Sequence, residues 1–236
     1  MILTSAIVAA TAWLALSGQL VLYIHPRYIV FTVVMSVVAL GLAIAAAIVQ
    51  PHDDDEQPQR PGPFGIAAVV VAAVFVVGLV VVPPATLSAE TASQRDIVGS
   101  TAGSDAQSIE SADATPTEAF AKFTVVDWSS LLRQTGDLAF YADKPVDVVG
   151  FIVADADAPQ DVFLVSRFIV TCCAVDAQPI GVPVYSPGWQ QRLAVDDWVR
   201  VTGEFATNPA AASTQPLAVD PASVEIVEQP SEPYLY

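Results

Sequence analysis

The chain has 236 residues and a formal net charge of −16, yet 53% of its residues are apolar. These properties are separated along the chain, because residues 1–82 hold the long apolar runs and residues 85–236 hold 21 of the 25 acidic residues. The C-terminal region therefore lacks the basic surface that nucleic-acid binding requires, and nucleic acid is excluded as an expected partner. The length leaves room for one membrane region and one domain of ordinary size.

Three apolar runs without a charged residue predict a membrane region at residues 1–84. They cover about residues 2–24, 28–49 and 64–82. A helix needs roughly 20 apolar residues to cross the hydrocarbon core of a bilayer. All three runs therefore predict transmembrane helices in contact with lipid. The first run is too long for the apolar core of a cleaved signal peptide.

Three residues of the first run and of the turn after it are candidates for contact with a partner helix. They are Gln19, Tyr23 and Pro26. A polar group inside a membrane seeks a protein partner rather than lipid, so we expect Gln19 to face another helix.

Residues 85–118 are rich in Ala, Ser, Thr and Asp and contain almost no large apolar side chain. Such a segment cannot form a core, and it predicts a flexible acidic linker. The basic residues on the two sides of the membrane are nearly equal in number and do not set the orientation. Because tethers of this kind commonly hold an outward-facing domain, we expect a multi-pass protein of the plasma membrane with its C-terminal domain outside the cytoplasm.

Residues 119–236 contain short runs of alternating apolar and polar residues, which predict β-strands. Five such runs begin near residues 145, 161, 178, 196 and 223. Gly150 and Gly203 lie inside two of them, and a glycine within a strand often marks a bend or a bulge. The predicted fold class is a region of three transmembrane helices followed by an all-β C-terminal domain, an OB-like small barrel. A small β-sandwich is the alternative.

Cys172 and Cys173 are the only cysteines of the chain, and Asp176 follows them closely. Two thiolates and a carboxylate are suitable ligands for zinc or another divalent metal, although no cofactor is required by the sequence. Neighbouring residues of a strand point to opposite faces, so both sulfurs reach one ion only if the strand ends before them. The residues from 174 to Pro179 can supply the necessary turn.

Two other interpretations of the cysteine pair remain open. The pair can form a strained disulfide that acts as a redox switch. Alternatively, both cysteines are small buried residues at a strand end, since free cysteine is among the most buried residue types. Arg167 lies in an otherwise apolar run, and a buried charge needs a partner. We therefore hypothesise that Arg167 pairs with Asp176 and, together with Pro179, supports the loop.

Ordinary hydrolase chemistry is not expected, because His25 and His52 are the only histidines and both precede the C-terminal domain. The sequence also contains no glycine-rich phosphate loop and no nucleophile elbow. The chain is predicted not to be an enzyme.

Four segments resemble a known family. They are "LYIHPRYIVF" (22–31), "HDDDE" (52–56), "VVPPATL" (81–87) and "SRFIVTCCAVDAQPIGVPV" (166–184), the last followed by "WVRVTG". Over nearly its full length the chain resembles the YcgQ-like family of bacterial membrane proteins. The loop after the second predicted helix is often rich in histidine in that family and keeps only His52 here, which weakens it as a metal-collecting site.

The resemblance implies the smaller subunit of a two-component permease complex, with a larger multi-pass permease subunit as its partner. The expected function is that of an accessory transport subunit whose tethered β domain gates or presents cargo, a metal ion being one candidate. The alternative is a stand-alone metal- or redox-sensing envelope protein that uses the Cys172–Cys173 loop.

Overall fold

A computed structural model describes residues 2–49, 67, 70–71, 74, 78, 86–95, 107–113 and 115–236. The chain divides into two compact units, Met1–Thr86 and Leu87–Tyr236.

In the first unit, two helices are described at full length, α1 (Ile2–Leu16) and α2 (Ile29–Val49), and they pack against each other. Two short 3-10 turns, Gln19–Leu22 and Pro26–Tyr28, join them. Gly18 adopts φ 71°, a left-handed conformation that glycine accepts without strain and that commonly ends a helix.

The prediction of three transmembrane helices is wrong. Within the described part of the chain, one helical stretch, Pro26–Ala46, is long and apolar enough to cross a bilayer, and none of it is buried in the protein. The first apolar run forms only the 15-residue α1 because the turn at Gly18 interrupts it, and at 1.5 Å per residue α1 spans about 22 Å. The third predicted helix, at 64–82, and the 52–56 loop lie almost entirely outside the described residues.

One apolar helix close to the N-terminus has the length and composition of a membrane anchor or of a signal sequence. The expected multi-pass location is therefore not supported, since the described residues contain one helix of this kind.

Among its described residues, the second unit contains a six-stranded sheet and four short α-helices. The strands are β1 (Val146–Ala154), β2 (Val162–Ile169), β3 (Gln178–Tyr185), β4 (Trp198–Thr207), β5 (Leu217–Ile226) and β6 (Tyr234–Leu235). The helices are α3 (Ala89–Ser93), α4 (Ile109–Asp113), α5 (Val125–Gln134) and α6 (Leu138–Tyr141).

The sheet is mixed and closes on itself. β1 pairs antiparallel with both β2 and β4, β2 with β3, and β4 with β5. A parallel pairing of β3 with β5, through Val184 and Val219, completes the circuit, and β6 adds in parallel to β2. The all-β description of this region is wrong, because helices pack on the sheet. The alternative of a two-sheet sandwich is wrong as well, since the six strands form one sheet.

Gly150 and Gly203 lie where neighbouring strands approach closely. A Cβ at Gly150 would meet the backbone of Ser166, and one at Gly203 would meet the backbone of Asp220. The pairing of β4 with β5 also shifts register between Thr202 and Gly203. A side chain at either glycine would force the strands apart, which explains the choice of residue.

The core of the second unit contains an aromatic cluster around Trp128 of α5, which is fully buried. Its ring lies 5.2 Å from that of Phe205, 5.3 Å from Phe123 and 5.8 Å from Phe120, measured between centroids. Such contacts add to the burial of apolar area. The apolar face of the amphipathic helix α5 therefore packs on the sheet. The Cys172–Cys173 loop connects two strands of that sheet, β2 and β3.

Two pieces of the predicted flexible linker belong to the folded unit. α3 and α4 lie within residues 85–118, and the side chains of Ala89, Ala92 and Ala112 are buried. Small alanines allow close backbone packing, so these pieces do not need large apolar side chains to dock. Residues 96–106 lie outside the described part of the chain.

Candidate metal-binding loop

The cysteine pair lies on the loop between two core strands. β2 ends at Ile169 and β3 begins at Gln178, with a 3-10 turn at Ala174–Asp176 between them. β2 thus ends before the cysteines, which is the condition for both of their sulfurs to reach the same metal ion.

The carboxylate of Asp176 organises this loop. One of its oxygens accepts a 2.8 Å hydrogen bond from the Cys172 amide, and the other accepts longer ones from the amides of Thr171 (3.2 Å) and Cys173 (3.4 Å). Asp176 and Cys173 form a reciprocal capping arrangement around the turn. An acidic residue at this position satisfies amides that would otherwise lack partners at the start of the turn, which is the local reason for the fold.

The structure brings the three predicted ligands together. The two sulfurs and a carboxylate oxygen of Cys172, Cys173 and Asp176 all lie within 4.8 Å of one another. Two sulfurs bound to one tetrahedral zinc lie about 3.8 Å apart, given Zn–S bonds of about 2.3 Å. The limit of 4.8 Å is about 1 Å longer than that separation, so the three groups must move closer together to hold one ion. Three protein ligands leave a fourth position available to water or to a donor from another molecule.

Cys172 is exposed and Cys173 is partly buried, and neither is in a disulfide. This exposure differs from the interpretation of the pair as two buried apolar residues. Desolvation, followed by the charge and hydrogen bond of Cys173 and the charge of Asp176, raises the pKa of the Cys172 thiol. A metal ion must displace that proton to bind, so affinity should increase with pH.

Arg167 does not form the hypothesised pair with Asp176. Its buried guanidinium donates to the carbonyl oxygens of Pro233 (2.9 Å) and Glu232 (2.8 Å) and lies 5.2 Å from the ring centre of Trp198. Burial lowers the pKa of Arg167, and Tyr236 opposes that shift. Arg167 thus holds the C-terminal segment, including β6, against β2. Pro179 lies in β3, paired with Phe168 of β2, directly after the loop.

A basic residue that sequence reasoning missed contacts the loop instead. The guanidinium of Arg95 donates to the carbonyl oxygens of Ala177 and, at 3.3 Å, of Val175. The available signal was that Arg95 is the only basic residue between positions 61 and 121. Its role was missed because it lies within residues 85–118, which the composition predicts to be a linker without contacts to the folded domain.

The three residues predicted to contact a partner helix lie in the first unit. Gln19 begins one 3-10 turn, Tyr23 follows that turn, and Pro26 begins the other. The side chain of Tyr23 is 38% exposed, and those of Gln19 and Pro26 are half-buried. Their contact with a partner stays a prediction.

Comparison with known proteins identifies the family. Residues 2–98 match the model of the DUF1980 N-terminal domain, and residues 108–236 match that of the DUF1980 C-terminal domain. No curated protein and no solved structure matches the chain. The two matches agree with the YcgQ-like family that the motifs indicated, and they cover most of the sequence. The chain therefore belongs to the DUF1980 family.

Proposed function

We propose that this protein is an accessory subunit of a membrane transport complex that binds a divalent, thiol-preferring cation such as zinc and presents it to a larger permease subunit. The observation that carries the proposal is the clustering of three ligand atoms from Cys172, Cys173 and Asp176 within 4.8 Å. The cluster lies on a loop whose backbone is held by hydrogen bonds.

The chemistry of the cluster favours binding followed by release. Two thiolates and one carboxylate form an anionic site, which suits soft or borderline divalent ions. A structural zinc site is normally closed by four protein ligands, whereas this site supplies three. The remaining position allows a donor from a partner to enter and take the ion. The proposed role is binding and transfer, without a catalytic reaction.

The membrane role rests on the apolar Pro26–Ala46 stretch and on the resemblance to the YcgQ-like family. We propose that this helix anchors the chain in the plasma membrane, in contact with a multi-pass permease, and that the C-terminal unit lies outside the cytoplasm. Gln19, Tyr23 and Pro26 are the proposed contacts with the permease.

The metal-binding part is tested on the full-length chain purified in detergent under reducing conditions. Zinc bound per chain is measured by elemental analysis after dialysis, in the wild type and in the Cys172→Ser/Cys173→Ser variant. Asp176→Asn removes the third ligand, and Asp220→Asn is the matched control because Asp220 is an exposed acid outside the loop. About one zinc per chain, lost in the double variant and kept in Asp220→Asn, supports the proposal. Equal zinc in the wild type and in the double variant contradicts it.

The partner separates this proposal from the alternative of a stand-alone metal- or redox-sensing protein, which the exposed, reduced Cys172 favours. A multi-pass membrane protein that co-purifies in fixed stoichiometry and removes zinc from the loop supports the transport subunit. A chain that is fully recovered as a single monodisperse species, with reversible oxidation of Cys172 and Cys173, supports the sensor.

A further inference from the structure

Residues 87–95, here called the strap, begin the C-terminal unit and dock on the rest of it through three polar contacts. The amide of Leu87 donates to the hydroxyl of Tyr234 (3.0 Å), and the amide of Ala89 donates to the carboxylate of Asp196 (2.5 Å). Arg95 makes the third contact, at the Cys172–Cys173 loop. Arg95 thus connects the strap to the loop through its side-chain hydrogen bonds.

The two terminal nitrogens of the Arg95 guanidinium bind the turn that carries Asp176 through its backbone carbonyl oxygens. It donates to the carbonyls of Val175 and Ala177, the residues immediately before and after Asp176. On the other side, the Asp176 carboxylate accepts from the amides of residues 171–173. The peptide that carries Asp176 is therefore held on both sides by hydrogen bonds to charged groups, which are stronger than neutral ones.

Packing holds this turn on one side of Asp176, where Ala177 is fully buried, and contributes little on the other side. The side chain of Val175 is 83% exposed, so it does not anchor the backbone through apolar contacts. A planar guanidinium can bond two carbonyl oxygens with one rigid group, whereas an ammonium acts as a point donor. Arg95 thus adds a second set of hydrogen bonds to those that Asp176 itself accepts from the loop amides.

We infer that Arg95 is a positioning residue for the Cys172–Cys173–Asp176 site, so that docking of the strap and occupancy of the site by a cation stabilise each other. The inference rests on the proposed function. A preorganised ligand set avoids the cost of ordering the loop on binding. If strap docking raises the affinity for the cation, the cation must stabilise strap docking by the same factor.

The positive charge of Arg95 acts in the opposite direction, because it repels a cation. Its two carbonyl partners and the surrounding solvent screen that repulsion, since the side chain is only partly buried. The geometric contribution should therefore dominate. Arg95→Lys keeps the positive charge but loses the planar guanidinium that bonds both carbonyls, so it separates the electrostatic contribution from the geometric one.

The test measures zinc affinity of the full-length chain by competition with a chromophoric chelator. Arg95→Ala should weaken zinc binding by about tenfold, as loss of an outer partner of a metal ligand does. Arg95→Lys should weaken it less. Arg192→Ala, which removes the same charge from an exposed site elsewhere in the unit, should leave the affinity unchanged. Binding by Arg95→Ala that equals or exceeds wild-type binding overturns the inference.

Hydrogen exchange read by mass spectrometry provides a second readout, and its dependence on zinc in the strap is an effect that purely structural support would not produce. In the wild type, zinc should slow exchange in the strap, and it should not do so in Cys172→Ser/Cys173→Ser. Without metal, Arg95→Ala should speed exchange at residues 171–173 by about tenfold. If wild-type protein binds no zinc, the proposed function fails along with the coupling. The exchange at residues 171–173 then still decides whether Arg95 holds the loop, and unchanged exchange there overturns that part.

Discussion

Replacing Asp176 with asparagine removes the group that organises the cysteine loop while keeping its size. The carboxylate accepts one short bond from the Cys172 amide on one oxygen and two long bonds on the other. Asparagine retains one accepting oxygen, which can serve the two long bonds. Its amide nitrogen would then face the Cys172 N–H, where two donors oppose each other. The variant therefore loses the shortest of the three bonds.

The cost follows from that single lost bond. Hydrogen bonds to charged groups contribute about 1.5 kcal/mol at the lower end of their range, and cap substitutions cost about 0.5–2 kcal/mol. Leu87–Tyr236 comprises 150 residues. For a unit of this size, about 1.5 kcal/mol corresponds to a fall in Tm of about 3–6 °C. Fluorescence of the buried Trp128 and Trp189 reports unfolding of this unit in the full-length chain.

The same substitution should lower the pKa of the Cys172 thiol, because the negative charge of Asp176 is one of the causes that raise it. The pKa should remain above its ordinary value, since desolvation, the largest cause, persists. The assay is the rate of alkylation of Cys172 as a function of pH in metal-free protein. The midpoint should move to lower pH in Asp176→Asn and stay in place in Asp220→Asn. An unchanged Tm together with an unchanged or higher midpoint would refute this account of the loop.

Three further outcomes test the surrounding structure. Arg167→Ala should release the C-terminal segment, because the bonds to the carbonyls of Pro233 and Glu232 disappear, and carboxypeptidase digestion of this variant should be faster than that of wild type. Trp128→Ala should destabilise the C-terminal unit by about 3–5 kcal/mol, the usual cost of emptying a core aromatic site, and a Tm that stays near the wild-type value would contradict the assigned core. Arg200→Ala breaks an ion pair between the exposed Arg200 and the half-buried Asp147 and should lower Tm by far less than Trp128→Ala does, since solvent screens a pair at the surface.

Local sequence patterns located most of the strands of the C-terminal unit, because successive side chains of a strand point alternately to the two faces of the sheet. The alternation of apolar residues placed β1 to β4 to within a few residues, and glycine marked the close approaches at Gly150 and Gly203. The first half of β5 was missed because Pro221 interrupts the pattern. In the structure Pro221 lies at the register shift opposite Gly203, where a missing N–H is tolerated.

By itself, the sequence determined the family, the position of β1 to β4 and the identity of the candidate ligands, because these depend on neighbours along the chain. It also indicated the turn after Cys173, since Asp176 and the amides it caps are at most five residues apart. Apolar composition could not decide the number of membrane helices, because a single glycine conformation at Gly18 divides a continuous apolar run.

Only the tertiary structure decided which distant groups meet. Arg167 is bonded to carbonyls 65 and 66 residues away, and Arg95 to carbonyls 80 and 82 residues away. Local periodicity carries no information on such pairs, because a charged side chain can be satisfied by any acceptor that the fold brings near. The closure of β3 onto β5 and the docking of alanine-rich segments have the same origin. Both features depend on surfaces of the sheet and its strand edges, and these surfaces exist only after the sheet has formed.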